Sequence, residues 1–190
     1  MRKFKDRIIA EGLIYPGNIL GVGSFLNQKV DTLLAMEMAK EIQRLFSDEK
    51  ITLVLTIESS GITLAFAVAY VLQVPLVFAK KHKSGNLSNN LLTADIYSYT
   101  HNTYYNAVVD AEYISPEDSV LIVDDFLANG EAIRGMIDLV SQAKASFVGC
   151  AIAIEKGFLG SGDILRGEGI RIESLAIVES MLEDEIVFRE

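Results

Sequence analysis

Residues 120–132 read VLIVDDFLANGEA, and the order of side chains in this stretch decides most of the fold. Positions 120–123 are four apolar, mostly β-branched residues, the composition of a strand covered on both faces. Asp124 and Asp125 end it. Two adjacent carboxylates there repel each other and are costly without a partner. Their acceptor oxygens suit the two neighbouring hydroxyls of a ribose. After Phe126 and Leu127 come the small or helix-starting residues Ala128, Asn129, Gly130, Glu131 and Ala132. Gly130 allows close backbone approach, and the free N–H groups at the start of a following helix suit a phosphate. A helix merely capped by Asp or Asn is the alternative; it explains neither the second acid nor the run of small residues.

Outward from this stretch, strands and helices alternate. Strands are expected at 52–57, 76–79, 120–124 and 147–155, with helices at 61–72 and 131–144 between them. Such alternation of apolar strands and helices predicts an α/β fold: a mostly parallel central sheet with helices on both faces. The 61–72 segment, GITLAFAVAYVL, is apolar nearly all round and is expected to be a buried helix. A further helix is expected at 31–46, where Asp31 can cap and Leu34, Met38, Ile42 and Leu45 recur at helical spacing. Residues 4–9 read as a short amphipathic helix and 84–93 as a polar loop. Residues 96–100 and 104–109 read as an antiparallel pair, 163–168 as a short helix, and 171–177 and 185–189 as closing strands. With three prolines and no linker rich in Gly or Ser, residues 1–190 form one domain.

In a parallel sheet, ligands bind beyond the carboxyl ends of the strands, so the segments after 57, 79, 124 and 155 should line one edge. The first is Glu58-Ser59-Ser60-Gly61, either an anion-binding turn or an ordinary strand-to-helix turn capped by Ser. The second opens on Lys80, Lys81, His82 and Lys83, either a solvated loop or a basic arm over a polyphosphate. The third is the acid pair and its loop. The fourth is Glu155-Lys156-Gly157-Phe158, a surface strand end in isolation; beside the other three, Lys156 becomes a donor to a ring oxygen and Phe158 its packing neighbour.

Composition excludes several classes. The formal net charge of −9 speaks against a general nucleic-acid binder, which needs a basic face. The single cysteine, Cys150, permits no intrachain disulfide and no Cys/His metal cluster, and it sits in an apolar run where a buried, inert thiol is expected. The N-terminal stretch has no continuous apolar core, so no secretory signal is expected. The longest apolar run, 64–79, is broken by Gln73 and Pro75 and falls short of the roughly 20 residues that span a bilayer. A cytoplasmic protein without membrane or nucleic-acid partners is expected. A GxxxxGK[ST] loop is missing, and no nucleophile–His pairing is visible; the two histidines are His82 and His101.

VLIVDDFLANGEA resembles the phosphoribosyl-diphosphate signature of the type I phosphoribosyltransferases, with Asn129 where that loop usually carries Thr. Residues 19–20 (IL) and 24–27 (SFLN), TIESSGI (56–62), VFAKKHKS (77–84), NNLLTADIYSYT (89–100), DDFLANGEA (124–132) and IEKGF (154–158) are similar to one branch, the bacterial xanthine phosphoribosyltransferases. The resemblance covers essentially the whole chain. It implies transfer of ribose 5-phosphate from phosphoribosyl diphosphate to xanthine, giving xanthosine 5′-monophosphate and diphosphate, with Mg²⁺ bound mainly through the phosphoribosyl diphosphate rather than by a dedicated protein site. It implies that Ala128, Asn129, Gly130, Glu131 and Ala132 hold the 5-phosphate and that Asp124 and Asp125 sit on the ribose hydroxyls. Glu58, Ser59, Ser60 and Gly61 take the diphosphate, and Lys81 reaches it, across a homodimer or within one chain. Leu20 and Asn27 belong to a hood over the base, and Lys156 contacts its ring oxygens. The core is expected at about 31–158 and the hood at about 1–30 and 156–190. Transfer to guanine, hypoxanthine or adenine stays open, as does a ligand-sensing regulator on the same fold.

Overall fold

A computed structural model describes residues 1–81, 90–99, 102–182 and 185–190. Along the chain run α1 (Arg2–Glu11), β1 (Leu13–Tyr15), β2 (Ile19–Gly21), a π-helical turn (Gly23–Asn27), α2 (Thr32–Leu45), β3 (Leu53–Ile57), α3 (Gly61–Leu72) and β4 (Leu76–Ala79). Then follow β5 (Leu91–Ser98), β6 (Thr103–Asp110), β7 (Ser119–Leu127), α4 (Glu131–Gln142), β8 (Ser146–Lys156), α5 (Ser161–Gly167), β9 (Ile172–Leu182) and β10 (Glu185–Phe188).

The central sheet has the order β10-β9-β8-β7-β3-β4. All neighbours pair in parallel except β10, which returns antiparallel along β9. β3 is followed in sequence by β4 on one side and, after the β5–β6 hairpin, by β7 on the other. The chain thus reverses its direction of winding between β3 and β7, the place in such sheets where a crevice opens beyond the carboxyl ends. β7 is central and its apolar half, Val120 to Val123 by number, is fully buried. One core cluster lies under α1, α2 and α3 and includes Phe4, Ile8, Met38 and Leu64. The other lies under α4 and the β5–β6 hairpin and includes Ile96, Met136 and Leu139. Each such side chain contributes about 1.5–3 kcal/mol by leaving water. As expected, Asp31 caps α2, its carboxylate accepting from the Leu34 N–H at 3.1 Å.

Several boundaries differ from the sequence reading. β7 does not stop at the acids but runs to Leu127, because Phe126 and Leu127 pair with Ile154 and Glu155 of β8. β5 starts at Leu91, inside the segment read as a loop over 84–93, and pairs with β6 through Asp110; residues 82–89, with His82 and Lys83, lie outside the described residues, as does His101. α3 is not buried all round: Phe66 and Tyr70 are 64% and 61% exposed, since the sheet and α2 cover only its inner side. Residues 172–182 and 185–188 complete the central sheet instead of forming a hood, so the core reaches past 158. The β1–β2 hairpin was not anticipated; its strands are three residues each, with Leu13, Tyr15 and Ile19 exposed and Leu20 buried. Among the described residues no helix is long and apolar enough to cross a membrane.

Candidate active site

The end of β7 carries the acid pair, and the two carboxylates meet different neighbours. Asp124 Oδ1 accepts the Asp125 N–H at 2.9 Å. A Cβ on Gly61 would lie 2.5 Å from that same oxygen and 2.5 Å from Thr56 Oγ1, so only glycine lets the start of α3 pass this close to β7. Asp125 Oδ2 accepts from Asn27 Nδ2 at 2.9 Å. Both acids are nearly buried, at 6% and 5% exposure. Burial, then the charge of Asp125, pushes the Asp124 carboxyl well above the usual carboxylate range. A buried acid beside another is relieved by hydroxyl donors or a cation, which is what a sugar or a metal–phosphate complex supplies.

Beyond Leu127 the chain turns through Ala128, Asn129 and Gly130 into α4. Gly130 has φ +85°, a left-handed conformation natural to glycine. Its O accepts from Arg134 N, and its face meets Leu165 of α5. Residues 128–132 line a cavity of about 180 Å³ together with Lys81 and the tyrosines 97, 99 and 105. The N–H groups that open α4 face this region unpaired within the helix, as in any helix start.

The 58–61 turn sits against the same edge. Glu58 Oε1 accepts from the Lys81 N–H at 2.6 Å, joining the ends of β3 and β4. The Glu58–Ser59 peptide is cis. Lys81 Nζ lies 5.2 Å from the centre of the Tyr105 ring. Burial, and secondarily the Asp124 charge, raises the Tyr105 phenol to about 12, so it stays a neutral donor at physiological pH.

On the other side of β7, Lys156 Nζ donates to Asn18 O at 3.0 Å and lies 6.0 Å from the centre of the Phe126 ring. Burial lowers its ammonium pKa. Asn27 has its amide N–H on Asp125, and its Oδ1 is buried without a partner. The reverse amide orientation would set two oxygens against each other, so Asn27 presents an acceptor. Leu20, on β2, is buried in the core cluster under α1 and α2.

The acid pair, the 128–132 loop, the 58–61 turn and Lys81 are thus contiguous, and Asn27 is tied to them through Asp125. Leu20 contributes packing and no polar group. The sequence reading passed over Tyr97, Tyr99 and Tyr105; with Tyr104 they place four of the chain's seven tyrosines within a short hairpin, a density of polar-tipped rings that could have marked it. Thr56, whose hydroxyl is buried without a partner beside Gly61, was also passed over. Cys150 is buried and burial pushes its thiol up, in keeping with an inert side chain.

Residues 23–159 match the family model described as phosphoribosyl transferase domain. The chain is 49% identical to a xanthine phosphoribosyltransferase of Lachnoclostridium phytofermentans, covering 100% of this chain and 98% of that one. It is 44% identical to the xanthine phosphoribosyltransferase of Finegoldia magna, with 100% of each covered. Among solved structures, an adenine phosphoribosyltransferase of Giardia lamblia complexed with 9-deazaadenine superposes with a TM-score of 0.77 over 94% of this chain and 98% of that one. At 23% identity that likeness speaks to the fold alone.

Proposed function

The chain belongs to the phosphoribosyltransferase family, and we propose that it transfers ribose 5-phosphate from phosphoribosyl diphosphate to xanthine, releasing diphosphate and xanthosine 5′-monophosphate. The observation that carries this reading is the nearly buried Asp124–Asp125 pair set between a glycine-opened phosphate loop and the 58–61 turn.

In this reading the 128–132 loop and the start of α4 hold the 5-phosphate by backbone N–H groups. Asp124 and Asp125 accept from the ribose hydroxyls and hold C1 of the sugar in line between base and leaving group. Transfer passes through a C1 centre with oxocarbenium character, as in glycoside cleavage. The 58–61 turn and Lys81 face the charge that grows on the departing diphosphate, and most of the acceleration is positioning with electrostatic stabilisation. The donor set suits Mg²⁺, a hard ion that takes one or two carboxylates plus substrate phosphates: the nearly buried carboxylates of Asp124 and Asp125 would hold it together with the phosphates. When bound, it neutralises diphosphate charge. Asn27 accepts from a ring N–H of the base, and Lys156 donates to an exocyclic oxygen. A donor at that place favours the 2-oxo group of xanthine over the 2-amino group of guanine, whose N–H would leave it unpaired.

The protein works in the cytoplasm as a homodimer, in which the exposed rings of Phe66, Tyr70 and Phe78 find cover. The test is direct: phosphoribosyl diphosphate, Mg²⁺ and one purine base are mixed with the protein, and nucleotide and diphosphate are followed. Xanthosine 5′-monophosphate in equal amount with diphosphate supports the reading. No nucleotide with any base defeats it.

A further inference from the structure

Glu155 lies on β8 opposite Leu127, the last residue of β7 before the phosphate loop, and is 1% exposed. A carboxylate so placed must have its oxygens satisfied. Arg166 of α5 does this with a two-pronged contact, Nη1 to Oε1 at 2.9 Å and Nη2 to Oε2 at 2.6 Å, and Ser174 Oγ of β9 adds a third donor at 2.5 Å. Arg166 Nε also donates to Ile172 O at 3.2 Å. A Cβ on Gly162 would lie 2.0 Å from Glu155 Oε1, so glycine at that position is what lets α5 sit on the carboxylate.

α5 has only 7 residues. A helix of that length does not hold its place by its own hydrogen bonds. Besides the more exposed Asp163–Arg189 ion pair, two adjacent residues tie it to the sheet and to the loop. Arg166 grips Glu155, and Leu165, 1% exposed, lies where a Cβ on Gly130 would meet its Cδ1 at 3.1 Å. The left-handed turn of the phosphate loop is thus backed by a side chain whose neighbour is anchored in the sheet.

We infer that Glu155 and Arg166 are positioning residues for the phosphate loop: the pair pins α5, and α5 seats Leu165 behind Gly130. The inference rests on the proposed reading that residues 128–132 hold the 5-phosphate. Neither side chain lines the cavity beside residues 128–132. Their effect is to keep the loop N–H groups aimed, which matters because small misplacements of binding groups are costly.

The test is steady-state kinetics of Arg166→Lys, which keeps the charge and loses the two-pronged grip. The KM for phosphoribosyl diphosphate is expected to rise about tenfold, with kcat and the KM for the base each held within about twofold. Leu165→Ala, with the ion pair intact, gives the same pattern and keeps the inference testable should Arg166→Lys fail to fold. The double variant is no worse than the poorer single one, because both act through one contact. Glu168→Ala, which cuts the exposed ion pair between Arg134 of α4 and the residue that follows α5, leaves all three constants near wild type. An unchanged KM for phosphoribosyl diphosphate in both single variants overturns the inference, and so does an equal rise for both substrates, which marks general loosening. A wild-type protein that forms no nucleotide overturns the underlying reading and this inference with it.

Discussion

The two ends of the site are built by different means. In the proposed reading the phosphate end is built from backbone: Gly130 at φ +85°, the start of α4, and Gly61 pressed against Asp124, all within short stretches that follow central strands. The proposed base end is built from side chains brought from afar: Asn27 reaches Asp125 across 98 positions, and Lys156 reaches Asn18 across 138. Backbone recognition is rigid and writes itself into local sequence as glycine and small residues. Side-chain recognition can be retuned by one substitution, as an end that chooses between bases requires.

Substitutions can separate the two ends. The largest effect is expected at their junction. Asp124→Asn with Asp125→Asn should lower kcat at least about tenfold, some 1.4 kcal/mol of barrier; wild-type turnover would remove both acids from the chemistry. Gly61→Ala comes next. Its Cβ meets two buried oxygens at 2.5 Å, and such overpacking costs about 1–3 kcal/mol. A calorimetric scan should show Tm falling by about 2–4 °C for each kcal/mol in a chain of this size; an unchanged Tm would mean the turn yields freely. Lys156→Ala should raise the KM for the base about fivefold, near 1 kcal/mol, while the KM for phosphoribosyl diphosphate holds. Equal changes in both would blur the division between the ends.

The smallest effect concerns stability. Because burial and Asp125 raise the Asp124 pKa in the folded chain, the folded state keeps a proton that the unfolded chain releases from about pH 4 upward. Stability therefore falls as pH climbs from there through the raised value. Asp124→Asn alone removes that slope. At neutral pH it should raise Tm while activity drops; at pH 3 the two proteins should melt alike. A lower Tm at neutral pH would show that the ionised carboxylate is well accommodated.

The same contrast governs how much could be read from sequence. The alternation of apolar runs with helices revealed the parallel sheet, and residues 120–132 revealed the buried acids and the glycine turn into α4, because both depend on neighbours in the chain. The position of Asp31 as a cap was legible for the same reason. What escaped depends on tertiary pairing. The acids lie inside β7 because Phe126 and Leu127 find partners on β8. The charge-rich C-terminal segment joins the sheet because β8 offers an open edge to β9. The amide of Asn27 is oriented by a carboxylate far along the chain. The Glu155–Arg166 grip has no local signature beyond its own side chains.

The measurement that bears most directly on the central claim is a competition in one vessel. Equal concentrations of xanthine, guanine, hypoxanthine and adenine are offered with phosphoribosyl diphosphate and Mg²⁺, and the nucleotides are separated by mass. A backbone-built phosphate end joined to a donor-bearing base end predicts that xanthosine 5′-monophosphate dominates the products. Guanosine or adenosine 5′-monophosphate in the majority would contradict it.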